Sequence, residues 1–114
     1  MHDGDYTVEA INREVEKQYR KFTRKFNTDS SPKAFVLGGQ SGAGKTGLQK
    51  IMEAQCDGNL IILNGDEFRE FHPDYIALQE KYGKDSVEYT GKFSGQMTEM
   101  LMSRLKAEKY NILV

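Results

Sequence analysis

The sequence predicts an α/β fold, a parallel sheet with flanking helices, and two observations carry that prediction. Three short apolar runs, "AFVLG" (34–38), "LIIL" (60–63) and "NILV" (111–114), have the length and apolar content of buried strands, and glycine, proline or asparagine flanks them. Between them lie stretches whose apolar residues recur every three or four positions, the period of a helix with one buried face. Strand, helix, strand, helix, strand in one chain places the strands parallel, joined by right-handed crossovers.

The first element is a helix over 5–26. Val8, Ile11, Val15, Tyr19, Phe22 and Phe26 share one face, and Arg13, Lys17, Arg20, Lys21, Arg24 and Lys25 occupy the other. That basic stripe is read as a solvated helix face rather than a phosphate grip. "NTDSSP" (27–32) ends the helix with turn formers. After the first strand and a glycine-rich stretch comes a helix over 44–56, with Leu48, Ile51 and Met52 at helical spacing, broken by "CDGN". The second strand exits into "NGDEF". Short helical pieces and loops are expected over 67–92, punctuated by Pro73, Gly83 and Gly91. A helix over 92–106 follows, through Phe93, Met97, Met100, Leu101 and Leu105, before the third strand. The whole of 1–114 reads as part of one domain, with a helix and linker over 1–31 and the core over 32–114.

Composition excludes several classes. Hydrophobic residues are 38% and charged residues 29% of 114, and the net charge of −1 has no excess pointing to nucleic acid or membrane. No apolar run approaches the ~20 residues of a membrane span. Cys56 is the single cysteine, which suits a reducing compartment, and the N-terminal "MHDGDYTVEA" lacks a basic start followed by an apolar stretch. A cytoplasmic location is expected.

Gly39, Gln40, Ser41, Gly42, Ala43, Gly44, Lys45 and Thr46 match G-x-x-x-x-G-K-[ST], the phosphate-binding loop. Glycines let the backbone approach an anion closely, and successive N–H groups turn inward on it. The helix that follows aims its N-terminal dipole at the same charge. In this pattern Lys45 reaches the β- and γ-phosphates, and the Thr46 hydroxyl sits on Mg2+. A strand before the loop and a helix after it complete the context that the motif requires.

Asp66 follows the second strand, at the carboxyl end where ligands bind in open α/β sheets. A carboxylate there can take the proton of a hydroxyl that attacks the γ-phosphate, as a kinase requires. The competing reading makes Asp66 the N-cap of a helix starting at Glu67. A guanine-nucleotide switch is disfavoured, because N-K-x-D and D-x-x-G elements are missing. His72 reads as structural, having no second His or Cys at metal-ligand spacing. Tyr75, Tyr82 and Tyr89 are expected to pack under loops. By periodicity Glu99 lies off the apolar stripe, with Gln96 and Ser103, on a solvated face.

Taken together, "AFVLGGQSGAGKTGL", "NLIILNGDEFREFHPDY", "KYGKDSVEYT", "QMTEMLMSRL" and "YNILV" resemble the N-terminal half of the zeta-toxin family. The runs D-x-F-x-x-x-H-P and M-T-E are the most particular. The resemblance covers residue 32 to the last, and the streptococcal branch is the most similar. It implies a P-loop kinase fold and a toxin that acts as a UDP-N-acetylglucosamine kinase. ATP with Mg2+ would be the donor, and the 3'-hydroxyl of the amino sugar the acceptor, so that cell-wall precursor synthesis is blocked. Carried over by position, Lys45 and Thr46 hold phosphates and metal, Asp66 is the base, and Glu99 contacts the sugar nucleotide. A small helical antitoxin covering the ATP site is implied as partner. Family members are more than twice as long, so a fold truncated after its third strand is expected, with an unpaired edge on 34–38. The alternatives are a P-loop kinase of another small molecule and a catalytically silent nucleotide-binding module.

Overall fold

Three parallel strands form the sheet: β1 (Ala34–Phe35), β2 (Ile61–Ile62) and β3 (Ile112–Leu113), in the order β1-β3-β2. The last strand in sequence therefore lies in the middle. Ile112 pairs with both Ala34 and Ile61, and Leu113 with both Phe35 and Ile62. The computed structural model describes residues 2–36 and 43–114, without the side chains of 43–46. Among the described residues the second edge of β1 has no strand partner, as expected.

The helices are α1 (Val8–Lys25), α2 (Ala43–Gln55), α3 (Gly65–Phe68), α4 (Tyr75–Tyr82) and α5 (Val87–Ala107), with 3-10 turns at Arg69–Phe71 and Gly83–Ser86. The Thr7 hydroxyl caps α1 by accepting the N–H of Ala10 at 3.1 Å. No described helix is long and apolar enough to cross a membrane. The described chain divides into two compact units. One holds the segment up to Gln18 with Asn64–Leu101, the other Tyr19–Leu63 with Met102–Val114.

The second of these units contains the sheet. Cys56, Leu60 and Leu113 are buried together, with Phe35, Met52 and Ile62 packed against them, and burial pushes the Cys56 thiol up. Asn111 anchors the start of β3. Its side chain is 1% exposed, accepts the Lys33 N–H at 2.7 Å, and donates to Asp29 and to the Asn59 carbonyl at 3.0 Å each. A buried amide is tolerated there because every one of its groups is used. The Ser31 N–H, and after it the Asn111 amide, hold the Asp29 carboxyl below its usual value. Arg104 stacks 3.7 Å over the ring of Tyr19, so the basic end of α5 covers an aromatic face.

The first unit is organised around Phe93, which is fully buried on α5. Tyr6 and His72 meet its ring edge-on, at centroid distances of 5.0 and 5.2 Å. His72 is itself buried. Its Nδ1 accepts the Asp74 N–H at 3.0 Å, so Nε2 carries the proton and donates to the Gly4 carbonyl at 2.7 Å. Residue 4 must be glycine, with φ +90° and a β-carbon position only 2.6 Å from the Tyr89 carbonyl. Asp3 completes the attachment of the N-terminal segment through a 2.8 Å ion pair with Lys81 and a hydrogen bond from the Tyr82 hydroxyl. Tyr82 stacks on Tyr89 at 4.0 Å, and the Tyr75 hydroxyl accepts from Gln79, so all three tyrosines have intramolecular contacts.

Two expectations are corrected: Val36 in the first strand run and Leu48 and Ile51 on α2 are exposed rather than buried, and the start of the last helix moves. Helix α5 begins at Val87, not at 92, and Gly91 lies inside it. Gly91 is there for packing: a β-carbon on it would stand 3.3 Å from the Arg69 guanidinium. In sequence, a glycine that makes room for a neighbour looks the same as a glycine that ends a helix.

Candidate functional site

Helix α2 starts within the glycine motif, two residues ahead of Lys45, and follows β1. Gly39, Gln40, Ser41 and Gly42 lie outside the described residues, as do the side chains of Ala43, Gly44, Lys45 and Thr46. The described part is therefore the backbone of the first turn of α2, the end of a helix that carries unpaired N–H groups suited to an anion.

At the exit of β2 the Leu63 N–H makes the last sheet hydrogen bond, to the Leu113 carbonyl at 2.8 Å. The chain then turns through Asn64, whose extended backbone (φ −107°, ψ 104°) is that of an N-cap. Its side chain accepts the Asp66 N–H and its carbonyl the Glu67 N–H, each at 3.1 Å. Asn64 is thus the cap, and the reading of Asp66 as cap of a helix starting at Glu67 is corrected. Asp66 stands one residue inside α3 with its side chain 86% exposed. The Arg69 Nε lies 3.5 Å from its Oδ1.

Glu99 is exposed on α5, on the face shared with Gln96 and Ser103. The Gln96 side chain accepts the Tyr6 hydroxyl at 2.5 Å. Asp66 and Glu99 belong to elements that touch. A β-carbon on Gly65 would come 3.2 Å from the Thr98 hydroxyl, so the residue before Asp66 lies against the residue before Glu99. Thr98 is oriented by donating to the Ser94 carbonyl at 2.8 Å. Two exposed carboxylates thus belong to one compact unit, each next in sequence to a residue of the Gly65–Thr98 contact, and each can accept hydrogen bonds. Among the described residues no group of three or more His, Cys, Asp or Glu side chains is gathered to hold a metal ion.

The zeta-toxin family model matches residues 16–114. The chain belongs to the zeta-toxin family. The toxin PezT of Streptococcus pneumoniae is 44% identical over the entire chain, and the toxin zeta of Streptococcus agalactiae is 36% identical over 96% of it. A solved structure of the PezAT chromosomal toxin–antitoxin system of Streptococcus pneumoniae superposes on 99% of the chain with a TM-score of 0.90. The fold is accordingly the α/β P-loop kinase fold of that toxin. The chain spans 45% of the length of PezT and 38% of the length of the agalactiae toxin zeta.

Three residues of this candidate site escaped the sequence reading. Asn64 was legible, since Asn just ahead of a short helix is a favoured cap. Arg69 and Thr98 were not, because their roles depend on which elements fold together.

Proposed function

We propose that the full-length protein is a cytoplasmic zeta-type toxin with kinase activity that transfers the γ-phosphoryl group of ATP to the 3'-hydroxyl of the amino sugar in UDP-N-acetylglucosamine. The observation that carries this reading is the Gly65–Thr98 contact, which joins the Asp66 turn to the Glu99 helix within one unit. The fit of a nucleotide rests on the start of α2 inside the glycine motif, since a helix N-terminus after a strand receives phosphate.

In this proposal Asp66 is the base. Its exposed carboxylate accepts the hydroxyl proton as the sugar oxygen attacks the γ-phosphorus; the bond from that phosphorus to the bridging oxygen breaks, and ADP leaves. Glu99 accepts hydrogen bonds from the sugar nucleotide. Gly39, Gln40, Ser41, Gly42, Ala43 and Gly44 supply backbone N–H groups to the phosphates, and Lys45 pairs with their charge. Thr46 is the ligand for Mg2+, which neutralises phosphate charge when bound. Neutralisation by a small helical antitoxin that covers the ATP site belongs to the same proposal. In support, the solved relative comes from a toxin–antitoxin system.

The test is incubation of the full-length protein with ATP, Mg2+ and UDP-N-acetylglucosamine. A phosphorylated sugar nucleotide is expected, with turnover lost in Lys45→Ala. Asp66→Asn should cut turnover by ~10²–10⁴-fold while sparing nucleotide binding. No product, with phosphorylation of a different small molecule, would replace the acceptor. Near-normal turnover in Asp66→Asn would remove the base assignment.

A further inference from the structure

Arg69 faces two ways. Its Nη1 donates to the Val87 carbonyl at 2.7 Å and approaches the Thr90 hydroxyl at 3.4 Å, at the first turn of α5. Its Nε faces the Asp66 carboxylate at 3.5 Å. The Arg69 side chain is 28% exposed, whereas that of Asp66 is 86% exposed. The Thr90 hydroxyl is buried and in turn reaches the Ser86 carbonyl at 3.4 Å. Gly91 leaves the space that the guanidinium fills, since a β-carbon there would stand 3.3 Å from Nη1.

An exposed ion pair contributes little to stability, because water screens it and two long side chains must be ordered to form it. That argument applies to a free surface pair, in which neither partner is held. Here the arginine is held from behind by a carbonyl at the start of a 21-residue helix, and its Nε is left facing the Asp66 carboxylate. The ordering cost falls on the arginine and is met by its α5 contacts. What remains is a fixed donor beside an exposed carboxylate.

We propose that Arg69 is a positioning residue for Asp66: anchored on Val87 and Thr90, it holds the carboxylate in the orientation that meets the acceptor hydroxyl. This rests on Asp66 being the base. Orientation of a reacting group matters steeply, and a displacement of ~1 Å can cost ~10²-fold in rate. Arg69 acts by a contact that is long and partly solvated, so its removal costs less than removal of the base. The lysine variant keeps the charge and lacks the fork, so it recovers only part of the function.

The experiment is a kinetic double-mutant cycle in the full-length protein, with ATP, Mg2+ and UDP-N-acetylglucosamine. Arg69→Gln should lower kcat on the order of 10-fold, with the KM for ATP changed less than about twofold, and Arg69→Lys should fall between the two. In the Asp66→Asn background Arg69→Gln should produce no further loss, because there is no base left to orient. A merely structural arginine would lower kcat equally in both backgrounds, and that result overturns the proposal. Unchanged kcat in Arg69→Gln, with Asp66→Asn inactive, overturns it while leaving the base assignment intact. Full turnover in Asp66→Asn overturns the base assignment itself. Should Arg69→Gln not fold, Gly91→Ala tests the same point. It crowds the guanidinium while improving helix propensity, so a kcat loss of several-fold without loss of thermal stability is expected. Unchanged kcat in Gly91→Ala would then overturn the proposal.

Discussion

Gly65 lies tightly against Thr98: a β-carbon on residue 65 would stand 3.2 Å from the threonine hydroxyl, which would have to give by a few tenths of an ångström. This contact joins the turn after β2 to the middle of α5, and it sets the spacing between the backbone positions of Asp66 and Glu99. Gly65→Ala should therefore be relieved by Thr98→Ala. The two substitutions are expected to couple by ~0.5–1 kcal/mol in urea denaturation of the four proteins of the cycle. Strict additivity would mean that the turn and the helix do not press on each other.

Asn64 holds the short helix α3 by one side-chain hydrogen bond, to the Asp66 N–H. Asn64→Ala should cost ~1 kcal/mol of stability and Asn64→Asp almost none, since aspartate caps as well as asparagine. Turnover should fall in the alanine variant and persist in the aspartate variant, because the cap sets the direction in which Asp66 leaves the backbone. Equal stabilities for the three proteins would show that the cap contributes nothing.

Asn111 offers a sharper comparison. Asn111→Leu strands the Lys33 N–H and the Asn59 carbonyl and should cost at least ~2 kcal/mol. Asn111→Asp keeps the acceptor for Lys33 but sets a carboxylate against the Asn59 carbonyl and the Asp29 carboxylate. It should be the worse variant at neutral pH and recover in part on mild acidification. Thermal melts at pH 5 and pH 7 distinguish the two. Similar pH dependence for both variants would mean that Asp29 is not coupled to residue 111.

The N-terminal attachment has a signature at alkaline pH. The hydrogen bond to Asp3, and after it that with Tyr89, raise the Tyr82 phenol from 10.0 to about 12. A group whose pKa is raised on folding stabilises fully below its unfolded value, and that stabilisation is lost as pH climbs through the folded value. The window here runs from about pH 10 to about pH 12. Burial raises Tyr6 and Tyr19 as well, so ultraviolet titration should show several tyrosines ionising late with Tyr82 the last, and Asp3→Asn should bring that last step forward. A titration identical in Asp3→Asn and wild type would refute the clasp.

The third strand and the stripe of α5 needed little beyond the sequence, whereas Val36 in the first strand run and Leu48 and Ile51 on α2 are exposed against the expectation of burial. Ile112 and Leu113 on β3 and Phe93, Met97, Leu101 and Leu105 on α5 are buried as their runs and spacing required. The solvated side of α5 was equally legible, since Gln96, Glu99 and Ser103 are exposed at their expected spacing. Gly91 was misread because its meaning lies in Arg69, 22 residues earlier. Asp66 was assigned to the turn correctly, but its competing role as a cap could be settled only by the backbone of Asn64.

The sequence by itself determined the type and order of the elements, because hydrophobic periodicity, turn chemistry and short motifs act over a few residues. It also determined the family, through D-x-F-x-x-x-H-P and M-T-E at their places in the chain. Only the tertiary structure decided that β3 lies between β1 and β2, that His72 holds the Gly4 carbonyl, and that the Asp66 turn rests on Thr98 beside Glu99. Each of these joins residues more than thirty positions apart. Such contacts arise from packing and from satisfying buried polar groups, for which no local pattern in the sequence is a record.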